Sequence, residues 1–218
     1  MRVISVAAQL GNGKDVLCDY LATALNDRGN TGTWERSAFA NAVKKVFMDS
    51  FGVDWKFIEK WKRIDEAPPP FLKNVRKSLQ FIGDGFRQIQ GDIWIDIALR
   101  DETRQMVISD SRYINESKAV KKKNGFTMVL WRPGWENDDP NPSEAQILPI
   151  VQACVNTQKE GKIDPSLCPD VPDLQYYDYF LKNEGSLADL YKKIDDVVVP
   201  HIEWYFADDT QIGEVERL

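Results

Sequence analysis

The chain has 218 residues, 43% of them hydrophobic and 28% charged, with a formal net charge of −6. That length and composition suit one compact globular domain with room for a small insertion, are cramped for two full domains, and contain no apolar run of membrane-spanning length. The acidic balance argues against a main task of coating nucleic acid, which needs many Lys and Arg on phosphates, but leaves room for a local basic pocket holding a small nucleotide. Met1-Arg2 leads straight into an apolar strand without the regions of a signal peptide, so a cytoplasmic location is expected. Cys18, Cys154 and Cys168 are odd in number and lack zinc-site spacing, which points to reduced thiols, with Cys18 in the core.

The first element is an apolar strand from Val3, followed by Gly11-Asn12-Gly13-Lys14 and a helix over Lys14 to Asn26. Leu17, Tyr20, Leu21 and Leu25 are spaced for one buried face of that helix. A small-residue loop between strand and helix turns successive backbone N–H groups toward a phosphate, and the helix adds the positive end of its dipole. Gly11, Asn12, Gly13, Lys14, Asp15 and Val16 are therefore the candidate ATP-binding set, with the Lys14 ammonium for the outer phosphates. Ala8 stands where the usual pattern has its first glycine, and Asp15 where it has a metal-binding hydroxyl.

Beyond a turn at Asp27 to Asn30, a short extended piece runs over Thr31 to Arg36, and helices are predicted over Asn41 to Phe51 and Trp55 to Trp61. Pro68-Pro69-Pro70 interrupts the helical pattern, which resumes from Phe71 to Gln90 with Leu72, Val75, Leu79 and Ile82 on one side. A helix over about Asp92 to Arg104 follows. Gln105 to Asp110 reads as a buried strand ending in an acid, Asn115 to Lys123 as a helix, and Phe126 to Trp131 as another buried strand. The four lysines between Lys118 and Lys123 fit a solvated helix end. Arg132 to Pro142 is a loop rich in Pro, Asp and Asn, and Ser143 is placed to cap the next helix. Lys159 to Leu174 is turn-rich and reads as an insertion or flexible loop; Tyr176 to Leu181 is the last strand and Ser186 to Ile202 the last helix.

Strands alternating with helices predict an α/β fold: a five-stranded parallel sheet covered by helices on both faces, with ligands at the carboxyl ends of the strands. Lys14, Asp110 and Arg132 all follow such ends. Alignment and positive charge are what phosphoryl transfer requires of a protein, and these residues supply them. Lys14, Arg112 and Arg132 are the candidate catalytic cations, the arginines because a guanidinium fork matches phosphate oxygens. Asp110 is placed to position Mg2+, and Asp15 faces the same expected metal. Arg76 and Arg87, eleven residues apart on one predicted helix, are candidate clamps for an acceptor phosphate.

These motifs resemble those of the phage-type deoxynucleoside monophosphate kinases, within the P-loop nucleoside monophosphate kinase superfamily. The resemblance rests on Asn12-Gly13-Lys14-Asp15, where Asp15 is a family mark; on Phe39-Ala40 with Lys44; and on Arg76, Leu79-Gln80 and Gly83 to Arg87. It continues through Trp94, Ile108 to Tyr113, Asn115-Glu116, Arg132, Ser143-Glu144 and Asn183 to Leu187, covering nearly the whole chain except Lys159 to Leu174. It implies a single kinase domain with a helical acceptor-binding region over about residues 37–104 and a lid over about 132–143. It also implies transfer of the ATP γ-phosphate to a deoxynucleoside monophosphate, with Mg2+, in phage DNA-precursor synthesis. Phe39, Lys44, Arg76, Gln80, Arg87 and Trp94 would bind the acceptor; Asn183 and Gly185 would lie near the adenine of ATP. The resemblance is compatible with a homodimer. Two other activities fit parts of the pattern: a kinase acting on hydroxymethyluracil in phage DNA, and a nucleotide-binding regulatory protein without transferase activity.

Overall fold

The computed structural model describes residues 1–29, 32–135 and 142–215, with the side chains of residues 142, 143 and 208–215 outside the description. The chain forms two compact units: residues 1–37 with 102–218, and residues 38–101.

The larger unit is built on one sheet. Its strands are β1 (Arg2–Ala7), β2 (Trp34–Ser37), β3 (Gln105–Ser111), β4 (Phe126–Trp131), β5 (Gly161–Lys162) and β6 (Tyr179–Lys182), in the order β2-β3-β1-β4-β6-β5. The first five of that order are mutually parallel, as expected, and β5 adds a two-residue antiparallel edge that the sequence pattern did not indicate. β1 lies between β3 and β4, so the chain winds outward in opposite directions on its two sides. The carboxyl end of β1 is thus the switch point where such folds bind ligands. This is a doubly wound, mostly parallel α/β fold, as the alternation of strands and helices predicts.

Successive strand residues point to opposite faces, and each face has its own core. Ile4, Val6, Met128, Leu130 and Leu181 pack on one side with Leu17, Leu21 and Leu25 of α1 (Lys14–Asp27) and Ile202 of α9 (Val199–Val215). Ala7, Val129 and Phe180 pack on the other with Ile147, Val151 and Cys154 of α7 (Pro142–Thr157) and with Leu174. Cys18 is buried in the first core, and burial pushes its thiol well above the ordinary cysteine range. Residues 159–174 are packed, not loose: they carry 3₁₀ turns at Pro165–Leu167 and Pro172–Tyr176. The last strand therefore starts at Tyr179, later than the apolar pattern suggests. The final helix is also interrupted, as α8 (Leu187–Lys193), a π turn over Ile194–Val198, and α9.

The smaller unit contains α2 (Ala40–Phe51), α3 (Trp55–Trp61), α4 (Val75–Ile89) and α5 (Ile93–Ala98), with Phe47, Ile58 and Val75 at its centre and Phe57, Phe71, Leu79 and Ile82 packed around them. Two expectations need correction here. The helix expected from Phe71 starts only at Val75, because Asn74 turns extended and accepts the Lys77 N–H as a cap, at 2.8 Å. Leu72 consequently leaves the apolar stripe and is 98% exposed. The helix expected over Asp92 to Arg104 stops at Ala98.

At the other end of the sheet from the strand carboxyl termini, α6 (Ile114–Lys122) contributes Lys121 to a polar network. Its Nζ donates to Asp178 Oδ1 and Oδ2 at 2.7 and 2.9 Å and meets the Tyr205 hydroxyl at 2.8 Å. Asp178 Oδ2 also accepts the Thr127 N–H and hydroxyl, at 2.8 and 3.0 Å. Burial alone would lower the Lys121 ammonium; the Asp178 bonds outweigh it and raise it above the ordinary lysine value. Stability from this raised lysine is fully present at neutral pH and is lost only as pH rises through the Lys121 value. Removing one partner of such a pair strands the other, so Asp178→Ala should lower unfolding free energy at pH 7 by about 2–3 kcal/mol in urea titrations. A loss under about 0.5 kcal/mol would mean the network contributes little to the fold.

Candidate active site

The site begins where β1 ends. Gly11 and Gly13 have φ of +86° and +89°, a left-handed conformation that side chains with a Cβ resist. Their lack of a Cβ is also a matter of space. A Cβ on Gly11 would fall 2.0 Å from the Trp135 indole nitrogen, and one on Gly13 would fall 2.6 Å from Asn183 Nδ2. Gly13 is the N-cap of α1 and has no side chain to satisfy the first-turn amides, which stay available to an anion.

Two strand ends tie down the loop from outside. The Arg132 N–H, just beyond β4, donates to Asn12 Oδ1 at 2.6 Å. Asn183, just beyond β6, donates from Nδ2 to the Asn12 carbonyl at 2.9 Å and from its backbone N–H to Trp131 O at 2.8 Å. Beside β1, the end of β3 meets Ala7 at Ser111, after a register irregularity between Ser5 and Ala7. Leu10 is held through both backbone groups: its N–H donates to Glu144 Oε2 at 3.0 Å, and its carbonyl accepts the Trp135 indole N–H at 2.9 Å. The Arg132 guanidinium lies 5.9 Å from the Trp135 ring centroid.

Lys14 is only 7% exposed. Burial first, and then the Arg112 guanidinium, hold its ammonium below the ordinary lysine value against the raising influence of Asp15, Glu144 and Asp110. Arg112 ion-pairs with Glu144, and Glu116 Oε2 accepts the Arg112 and Tyr113 N–H groups at 2.8 and 3.0 Å. The structure thus groups Lys14, Asp110, Arg112, Arg132 and Asn183 around the loop, as their positions after strand ends suggest. The strand carrying Asp110 runs one residue further than expected, through Ser111.

Asp15 is the residue whose surroundings differ most from expectation. Its carboxylate, 63% exposed, pairs with Arg36 at 2.5 Å, and Arg36 also reaches Asp19 at 2.7 Å and lies 3.4 Å from the Ser109 hydroxyl. Arg36, Trp135 and Glu144 were given no site role from sequence. The strand-end rule that selects Asp110 and Arg132 would also have selected Arg36, since β2 is parallel to its neighbours.

The expected acceptor residues all fall in the smaller unit. Lys44 Nζ lies 3.2 Å from Glu59 and 4.1 Å from the Trp55 ring centroid. Arg76 is exposed, Gln80 is half-buried, and Arg87 pairs with Asp84 at 3.2 Å on the same continuous helix α4. Phe39 and Trp94 are buried, and the Trp94 indole N–H is already given to the Gly83 carbonyl at 3.0 Å, beside Phe86. The Trp94 indole is thus engaged in packing within this unit. Most of the lid expected over 132–143, and the capping role expected of Ser143, lie outside the described residues and side chains.

No protein-family model matches the chain. Among curated proteins it is similar to one from Acanthamoeba polyphaga mimivirus, provisionally described as a deoxynucleotide monophosphate kinase: 28% identity over 169 residues, spanning 69% of this chain and 84% of that protein. Among solved structures it is similar to a dephospho-CoA kinase from Campylobacter jejuni, at 16% identity, TM-score 0.39, and 91% and 96% coverage of the two chains. A Janibacter sugar kinase gives 11% identity, TM-score 0.34, and 88% and 91% coverage. Similarity this low leaves the fold resting on strand order and the site on its own geometry.

A lysine buried at the positive end of a helix dipole, beside an arginine, is held against its own electrostatics. Lys14→Met should therefore raise the melting temperature of the nucleotide-free protein by about 2–4 °C, corresponding to about 1 kcal/mol, measured by calorimetry. A lower melting temperature would mean the ammonium stabilises the empty loop.

Proposed function

We propose that the chain is a kinase that transfers the γ-phosphoryl group of ATP to a deoxynucleoside monophosphate, giving ADP and a deoxynucleoside diphosphate for phage or viral DNA synthesis. The observation that carries this reading is the buried Lys14 ammonium in a glycine loop whose backbone is tied to the ends of β4 and β6. Such a loop supports a triphosphate through the Gly11 to Val16 amides, with Lys14 on its outer phosphates. Asn183 and Gly185 lie toward the adenine. The similarity to the mimivirus protein supports a monophosphate as acceptor.

The reaction needs no protein nucleophile. An ionised oxygen of the acceptor phosphate attacks the γ-phosphorus; the new O–P bond forms as the β–γ bridging bond breaks, and the electron pair leaves on ADP. Lys14, Arg112 and Arg132 stabilise the charge spread over the transferring group. Lys44, Arg76, Gln80 and Arg87 serve the acceptor, while Phe39 and Trp94, both buried, serve the packing of that unit. Mg2+ would be held by Asp110, with Asp15 reaching it once released from Arg36, and when bound it neutralises phosphate charge. Among the described residues no three His, Cys, Asp or Glu side chains are grouped to hold a metal alone. That suits an ion that arrives on the triphosphate and takes one or two carboxylates from the protein.

A free nucleotide is favoured over DNA as acceptor by the fate of the lysine run. Lys118, Lys121 and Lys123 pair with Asp173, Asp178 and Glu102, so three of its four lysines are already matched by carboxylates. ATP, magnesium and each common or modified deoxynucleoside monophosphate should yield ADP and the diphosphate, and Lys14→Met should cut turnover at least about a thousandfold. Phosphate entering hydroxymethylated duplex DNA alone, or tight ATP binding with no acceptor in the whole set, would replace this reading with one of its two rivals.

A further inference from the structure

Glu144 sits in the first turn of α7 and is 3% exposed. A carboxylate buried to that degree is costly unless it is paired and hydrogen-bonded. Both of its described partners belong to the nucleotide site: the Leu10 N–H of the phosphate loop, at 3.0 Å, and the Arg112 guanidinium. Arg112 is also fixed at its backbone, where Glu116 accepts its N–H at 2.8 Å. Its main chain and its side chain are therefore held by different carboxylates, and the Glu144 carboxylate also reaches the loop.

We propose that Glu144 is a positioning residue of the phosphoryl-transfer site, holding the Arg112 guanidinium in register with the phosphate loop so that one triphosphate meets both. The proposal rests on the reading of Arg112 as a phosphate-contacting cation. It gives a task to Glu144, which the family resemblance includes without a role. The carboxylate pairs with one cation and favours the other: Arg112 lowers the Lys14 ammonium and Glu144 raises it. Without it, the guanidinium loses its ion pair to the residue that also holds the loop, and the alignment that phosphoryl transfer depends on is weakened.

Glu144→Gln isolates this role, because the amide oxygen can still accept the Leu10 N–H while the ion pair to Arg112 is gone. Glu144→Gln, Arg112→Ala and the double variant form a cycle read in two ways: steady-state turnover, and binding of ATP with magnesium by calorimetry. Glu144→Gln should lower kcat about tenfold or more and weaken ATP binding about threefold, a split toward kcat expected of lost alignment. In the Arg112→Ala background it should do neither, within twofold. An effect of full size in that background would show that Glu144 acts on Lys14 or the loop and not through Arg112, and wild-type behaviour of Glu144→Gln would show that it positions nothing. If Glu144→Gln does not fold, Glu144→Asp, which keeps the charge but withdraws it by one methylene, enters the same cycle with the same criteria. If the wild-type protein phosphorylates no monophosphate, the kinase reading fails, and the ATP-affinity cycle alone decides the role of Glu144.

Discussion

The arrangement on which the rest depends is an ammonium placed where an empty protein would not put one. Lys14 is buried, it lies in the first turn of α1 where the helix dipole is positive, and Arg112 is close enough to lower its affinity for a proton. Helix ends ordinarily attract the opposite charge at that position. Local stability does not explain this choice; an anion that supplies several negative charges at once does. Asp15, Glu144 and Asp110 partly offset the conflict in the meantime.

A loop carrying that conflict has to be held in shape by its surroundings. The solution is external: Asn12 is held by Arg132 and Asn183, and Leu10 by Glu144 and Trp135, so residues more than a hundred positions away fix the backbone. These restraints use carbonyls, the Asn12 side chain and the Leu10 N–H, and none of them engages the first-turn amides of α1. The two required glycines fit the same logic. Gly11 lets the Trp135 ring lie against the loop, and Gly13 lets Asn183 do so. This explains how the loop tolerates Ala8, which is wholly buried at the end of β1: the fixed contacts gather from Leu10 onward.

What could be read from sequence follows the range of the interactions involved. The parallel strands were legible because apolar runs such as Phe126 to Leu130 are required by burial on both sheet faces, and the loop was legible because glycine, lysine and a following helix are local. Element ends were less legible where a short-range bond overrides the period. Asn74 caps α4 and leaves Leu72 outside it, although the spacing of Leu72 suits the buried face. Trp135 and Glu144 escaped for a different reason: a tryptophan in a loop and a glutamate opening a helix acquire meaning only through partners distant in sequence. No periodicity encodes those pairings.

The pairing of Arg36 with Asp15 sharpens what the unusual loop residue can do. A serine or threonine at that position offers a neutral hydroxyl, whereas Asp15 brings a full negative charge beside Lys14 and engages a cation from β2. An exposed pair of this kind is worth little to stability. Its consequence is one of competition: the same carboxylate that could join a magnesium ion is first claimed by a guanidinium, and that guanidinium is itself a phosphate ligand by chemistry. In the proposed reaction a metal-bearing triphosphate reaching the loop would offer each member of the pair a better partner, the ion for Asp15 and a phosphate oxygen for Arg36. Separating the pair then costs little, so charge can be exchanged at the loop without disturbing the strands that hold it.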